Sequence, residues 1–102
     1  MKIELAKTEK IHFVGIGGIG MSGLALIMKS MGFKIQGSDI GHNKNIDRLK
    51  KNKIKIKIGH SKKNINTATI LVTSSAIKKN NPEIVSAKKK LLPIYKLSLI
   101  HI

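Results

Sequence analysis

Apolar and polar positions along the chain change period several times, and each change marks an element. Lys10-Ile11-His12-Phe13-Val14 is a β-rich run that stops at a glycine cluster, Gly15-Ile16-Gly17-Gly18-Ile19-Gly20, which predicts a strand and then a tight turn. From Met21 the apolar residues Leu24, Leu26, Ile27, Met28 and Met31 take a helical spacing that ends at Gly32, where a C′ glycine closes a helix. Phe33-Lys34-Ile35-Gln36-Gly37 alternates with period two and predicts a second strand with Ser38-Asp39 at its end. Ile46 and Leu49 form a weak apolar stripe within Asn43 to Asn52, a short helix. Ile54-Lys55-Ile56-Lys57-Ile58 then puts three Ile on one face of a half-buried strand near a sheet edge. Thr69-Ile70-Leu71-Val72-Thr73 is a continuous run suited to a central parallel strand. Asn81 as N-cap and Pro82 at N1 open a last helix to about Lys90, and Leu91-Leu92-Pro93-Ile94-Tyr95 reads as a fifth strand.

This order predicts an α/β fold, a Rossmann-like parallel sheet of about five strands with helices on both faces. A single domain over residues 1–95 is expected. Residues 96–102 end in apolar Leu97, Leu99, Ile100 and Ile102 without a stop signal, and read as a truncated or non-native tail.

Composition narrows the function classes. With 102 residues, 41% hydrophobic and 3% aromatic, the chain can bury a modest aliphatic core, so a self-sufficient enzyme is not the default. The absence of Cys excludes disulfides and thiolate chemistry. No apolar run approaches the roughly 20 residues of a membrane span, and Met1-Lys2-Ile3-Glu4-Leu5 is not a signal h-region, so no membrane partner and a cytoplasmic location are expected. The net charge of +15 raises the question of nucleic acid. Against that, every base but Arg48 is Lys, and 18 Ile and 7 Asn accompany them. All three residue types have codons made of A and T alone, so an AT-rich genome accounts for the trio. No Arg cluster or aromatic stripe is present to read bases, and no nucleic-acid partner is expected. The field still favours a small anionic ligand.

Gly15, Gly17 and Gly20 satisfy G-x-G-x-x-G directly after a strand and before a helix, the context that the motif requires. The expected roles are a tight turn at Gly15, close approach to a phosphate at Gly17 and close helix-to-strand packing at Gly20, with the helix N-terminus aimed at the anion. Asp39, 19 residues beyond Gly20, lies where a carboxylate accepts hydrogen bonds from a ribose or base. These features point to a nucleotide with a phosphate chain, and NAD is the commonest such ligand.

The wider wording of the loop is more specific. Ile11-His12-Phe13-Val14-Gly15-Ile16-Gly17-Gly18-Ile19-Gly20-Met21-Ser22-Gly23, with Gln36-Gly37-Ser38-Asp39, Ser74-Ser75-Ala76-Ile77 and Asn80-Asn81-Pro82-Glu83, resembles the N-terminal domain of the Mur ligases that add L-alanine to UDP-N-acetylmuramate. The resemblance implies a UDP-sugar site. Gly15, Gly17, Gly18, Gly20, Met21 and Ser22 would cradle the diphosphate, Ser38 and Asp39 would face the uridine, His60 would lie near the nucleotide, and Ser74, Ser75 and Ala76 would lie by the phosphate and sugar. It also implies ATP-dependent chemistry with Mg2+: the muramoyl carboxylate becomes an acyl phosphate, which the amine of L-alanine attacks.

The sequence has no G-x-x-x-x-G-K-[ST] loop. Gly41-His42-Asn43-Lys44 lacks the second glycine and the hydroxyl residue. The central ATPase and C-terminal domains are therefore expected to be absent from this chain, which is expected to bind no cofactor of its own and to be inactive alone. Two rival readings remain, an NAD-binding domain of a dehydrogenase or regulatory protein and a murein-recycling ligase that attaches a whole peptide to the same UDP-sugar.

Blander roles compete at single positions. His12 reads as a packed strand histidine, and Met21, Met28 and Met31 as core. Ser74, Ser75 and Asp39 can cap turns, and Lys78-Lys79 and Lys88-Lys89-Lys90 read as solvated faces. His42, His60 and His101 share no metal-ligand spacing, so no metal and no catalytic residue are expected here.

Overall fold

A computed structural model describes residues 5–100. His101 and Ile102 lie outside the described residues, as does the segment before Leu5. The sheet has five strands, β1 (Lys10–Val14), β2 (Lys34–Asp39), β3 (Lys55–Ile58), β4 (Ile70–Thr73) and β5 (Ile94–Lys96), in the order β3-β2-β1-β4-β5. Every pairing is parallel. Three helices connect them, α1 (Ile19–Ser30), α2 (Lys44–Lys51) and α3 (Pro82–Lys89), together with 3-10 turns at Lys62–Ile65 and Leu97–Leu99.

Strand alternation divides the core in two. Ile11 and Phe13 of β1 and Ile70 and Val72 of β4 pack with Met21, Ala25 and Met28 of α1 and Ile46 and Leu49 of α2. Val14 and Leu71 point the other way, onto Ile65, Ile84 and Ala87 of the Lys62–Ile65 turn and α3. Helices therefore cover both faces, which is why β1 and β4 are apolar almost throughout.

Local chemistry sets the boundaries. Asn43 caps α2 by accepting from the Ile46 amide at 2.9 Å, and Asn81 caps α3 by accepting from the Glu83 amide at 2.9 Å. Gly32, at φ +95°, is the C′ residue of α1. Three expectations are corrected. Helix α1 starts at Ile19 rather than Met21, so Gly20 lies inside its first turn. Met31 is half exposed rather than core, because it is the α1 cap. The packed unit does not stop at residue 95, since β5 runs to Lys96 and both Leu97 and Ile100 pack on the core.

Candidate functional site

The chain reverses its direction across the sheet between β1 and β4, so the connections after these strands diverge and leave a crevice at their carboxyl ends. A cleft of about 550 Å³ opens there, lined by Gly15, Gly17, Gly18 and Met21 after β1, Asp39 and Ile40 at the end of β2, His60 after β3, and Ser74, Ala76, Ile77 and Lys78 after β4. Its size is that of a small-molecule site. A second depression of about 540 Å³ at the opposite pole is ringed by Lys10, Lys29, Lys34, Lys53 and Lys55 and has neither a glycine loop nor a helix start.

The glycine loop is held from beneath and from one side. The amides of Gly15 and Ile16 donate to the Ser38 carbonyl at 2.8 and 2.9 Å, and Gly18 N–H donates to the Gly15 carbonyl at 3.2 Å. Gly17 N–H donates to Asp39 Oδ2 at 2.7 Å, while its carbonyl accepts from Asn45 Nδ2 at 2.9 Å and Asn43 Nδ2 at 3.3 Å. Four successive loop amides are thus already spent on the protein. No side chain caps the first turn of α1, so the amides of Ile19, Gly20 and Met21 are the donors that a helix start leaves for an anion.

Protein contacts also require two of the glycines to be small. A Cβ at Gly17 would stand 2.8 Å from Asp39 Oδ2, 3.0 Å from Ile46 Cδ1 and 3.1 Å from Asn43 Nδ2, so Gly17 is small for the sake of β2 and α2. A Cβ at Gly20 would meet Leu97 Cδ2 at 2.9 Å rather than a strand. Close approach of the glycine loop to β2 depends on Gly37, whose Cβ would lie 2.5 Å from Ile16 Cδ1 and 2.9 Å from the Phe13 carbonyl. Gly15 keeps its turn role at φ +80°.

Other predicted residues divide between the cleft and its support. Asp39, His60, Ser74 and Ala76 line the cleft, whereas Ser38 and Ser22 are fully buried. Ser22 Oγ donates to the Ile19 carbonyl at 3.2 Å, so its hydroxyl tightens the α1 turn. Ser75 belongs to a smaller hollow beside Lys96 and Leu97. Lys78 is exposed, as expected, and also stands on the cleft wall. His42 pairs with Asp47 on the surface.

Sequence reasoning missed the polar core under the cleft. Glu83, from the first turn of α3, is wholly buried and accepts from His12 Nε2 at 2.7 Å, Ser38 Oγ at 2.6 Å and Asn64 Nδ2 at 2.8 Å. Burial pushes its carboxyl up, but the hydrogen bonds from His12, Ser38 and Asn64 outweigh that and hold it at about 2 instead of 4.5. Its signal was its isolation, for Glu83 is the one acid after Asp47.

A family model described as Mur ligase family, catalytic domain, matches residues 10–100. The chain belongs to the Mur ligase family. A curated Mur ligase relative, the UDP-N-acetylmuramate--L-alanine ligase of Pelagibacter ubique, is 77% identical over 94% of this chain and 21% of its own length. Among solved structures, the UDP-N-acetylmuramate-alanine ligase of Thermotoga maritima has a TM-score of 0.85 at 40% identity, covering 88% of this chain and 21% of that one. The UDP-N-acetylmuramate:L-alanyl-gamma-D-glutamyl-meso-diaminopimelate ligase of Neisseria meningitides reaches 0.81 at 26% identity, covering 87% and 28%. This Mur ligase chain therefore spans about a fifth of the length of the curated relatives it matches, at their N-terminal part.

Proposed function

We propose that the chain is the UDP-sugar-binding part of a ligase that joins L-alanine to UDP-N-acetylmuramate in peptidoglycan precursor synthesis. The observation that carries this reading is the 77% identity over 94% of the chain to a protein bearing that ligase's name. The higher identity to the Thermotoga alanine ligase, 40% against 26% for the tripeptide ligase, favours L-alanine over a whole peptide as the group added by the complete enzyme.

The chemistry of the cleft supports the same ligand. The diphosphate takes the open amides of Ile19, Gly20 and Met21 at the positive end of α1, with Lys78 contributing charge from the opposite wall. The nucleoside lies toward Asp39 and His60, whose acceptors suit hydroxyl and N–H donors, and the sugar lies along Ser74 and Ala76, where small residues leave room.

ATP and Mg2+ do not fit these residues. The described residues hold no group of three His, Cys, Asp or Glu side chains suited to a metal, and the sequence has no ATP phosphate loop. Activation of the carboxylate and capture of L-alanine are assigned to the rest of such a ligase, and this chain by itself binds without catalysing. A cytoplasmic setting, where nucleotide-activated sugars are made, belongs to the same proposal; among the described residues no helix is long and apolar enough to cross a membrane.

Backbone amide NMR titration with UDP-N-acetylmuramate tests the reading. The Ile19, Gly20 and Met21 resonances and those of Ser74 and Ala76 should move together. A titration that moves only the lysine-ringed pole would refute it.

A further inference from the structure

The buried carboxylate beneath the cleft fixes the proton positions of its neighbours. Gln36 Nε2 lies 2.9 Å from the Asn64 carbonyl, an acceptor that demands the amide's NH2 there, and 2.9 Å from His12 Nδ1. His12 therefore accepts at Nδ1 and donates from Nε2 to Glu83 Oε1. Ser38 Oγ, 2.6 Å from Glu83 Oε1, must spend its one proton on that carboxylate. His60 Nδ1 then faces two groups that can only accept, Ser38 Oγ at 3.0 Å and Glu83 Oε2 at 3.2 Å, so it carries the proton. Asn64 Nδ2 and the Ser61 amide, at 2.8 and 3.1 Å, complete the donors to Glu83 Oε2.

In the neutral ring, a protonated Nδ1 leaves Nε2 a bare lone pair. Nε2 has no protein partner among the described residues, and no buried side-chain nitrogen or oxygen there lacks one, so Nε2 reaches solvent from a ring that lines the cleft. A lone pair repels a phosphate oxygen and attracts an O–H or N–H.

We propose that Glu83 is a positioning residue that locks His60 as the Nδ1–H tautomer, making His60 Nε2 an acceptor that reads a hydroxyl or N–H donor on the nucleoside of the ligand rather than its phosphates. The ligand half of this statement rests on the UDP-sugar reading of the cleft; the tautomer half does not.

Histidine 15N NMR of the 102-residue chain at pH 8, where a free imidazole is neutral, tests both halves. Without ligand, His60 should show a protonated Nδ1 and an unprotonated Nε2; a protonated Nε2 overturns the lock. UDP should shift the Nε2 signal and inorganic pyrophosphate should leave it in place; equal shifts overturn the nucleoside role. In Glu83→Gln the Nδ1–H population should fall, because an amide can donate to that nitrogen. His60→Phe, which retains Glu83 and its other donors, keeps the test open if Glu83→Gln does not fold. It should weaken UDP about tenfold and leave pyrophosphate within about twofold, roughly one lost hydrogen bond; equal weakening of both ligands overturns the proposal. A chain that binds pyrophosphate but not UDP refutes the UDP-sugar reading, while the tautomer measured without ligand still decides the Glu83–His60 arrangement.

Discussion

Asp39 Oδ2 accepts a hydrogen bond from the Gly17 amide at 2.7 Å, and Asp39 Oδ1 accepts from the Ile40 amide at 2.8 Å. The acid that ends β2 thus holds the glycine loop that follows β1. Asp39→Ala should leave a part-buried amide unpaired and lower stability by about 1–3 kcal/mol. Asp39→Asn, which keeps an acceptor in place, should lose less than half as much. Urea unfolding of the two variants checks this, and equal losses would show that the charge rather than the hydrogen bond matters. Because Asp39 holds the loop and also faces the nucleoside, Asp39→Ala should weaken both UDP and pyrophosphate, and UDP more.

Two glycines of the same segment should respond in opposite directions. Gly17→Ala forces a methyl against Asp39 Oδ2 and Ile46 Cδ1, and should destabilise by about 1–3 kcal/mol, the range of overpacking. Gly23, in the interior of α1 with nothing within 4 Å of a built Cβ, should become more stable by about 0.5–1 kcal/mol on substitution by Ala, since helix propensity alone changes. Thermal melts of both variants decide the matter. A stabilised Gly17→Ala would mean that the loop is looser than its contacts imply.

The Glu83 carboxyl is held at about 2 in the folded chain against 4.5, so the unfolded state binds its proton first as pH falls. The stability it contributes is complete above pH 4.5 and drains away between there and about pH 2, to a total of about 3 kcal/mol. His12 and His60 face the same carboxylate, so the Glu83→Gln variant is the control that isolates it. Unfolding free energy at pH 7, 5 and 3 should be flat across the first step and fall across the second in the parent chain, with a shallower fall in the variant.

The fold was legible because its signals were local and agreed with one another. Period-two and helical blocks, Asn43 and Asn81 as caps, Gly32 as terminator and Pro82 at a helix start each followed from neighbouring residues. The cleft-lining set was legible as far as the topology dictates it, because loops after parallel strands must gather at one edge. What escaped was long-range. That Gly17 is small for Asp39, Ile46 and Asn43, that Gly37 lets the loop approach β2, and that Ser38 turns inward to Glu83 all depend on residues 20 or more positions apart. Strand alternation does place His12 with Val14 on the α3 face, but the sequence does not show that Glu83 meets it there.

Lys78 offers a graded test of electrostatics at the site. It is exposed on the cleft wall, so Lys78→Ala should weaken UDP about two- to fivefold at low ionic strength and hardly at all near 1 M salt, where charges are screened within about 3 Å. A loss that persists at high salt would place the Lys78 ammonium in direct contact with the ligand.

The central claim is that this cleft takes a uridine diphosphate sugar. Calorimetric titration of the chain with UDP-N-acetylmuramate, UDP and NAD at low and high salt tests it most directly. The account predicts that both uridine ligands bind, that NAD stays silent, and that the affinity outlasts screening of the +15 surface. Binding of NAD alone, or affinity that vanishes for every ligand as salt rises, would contradict it.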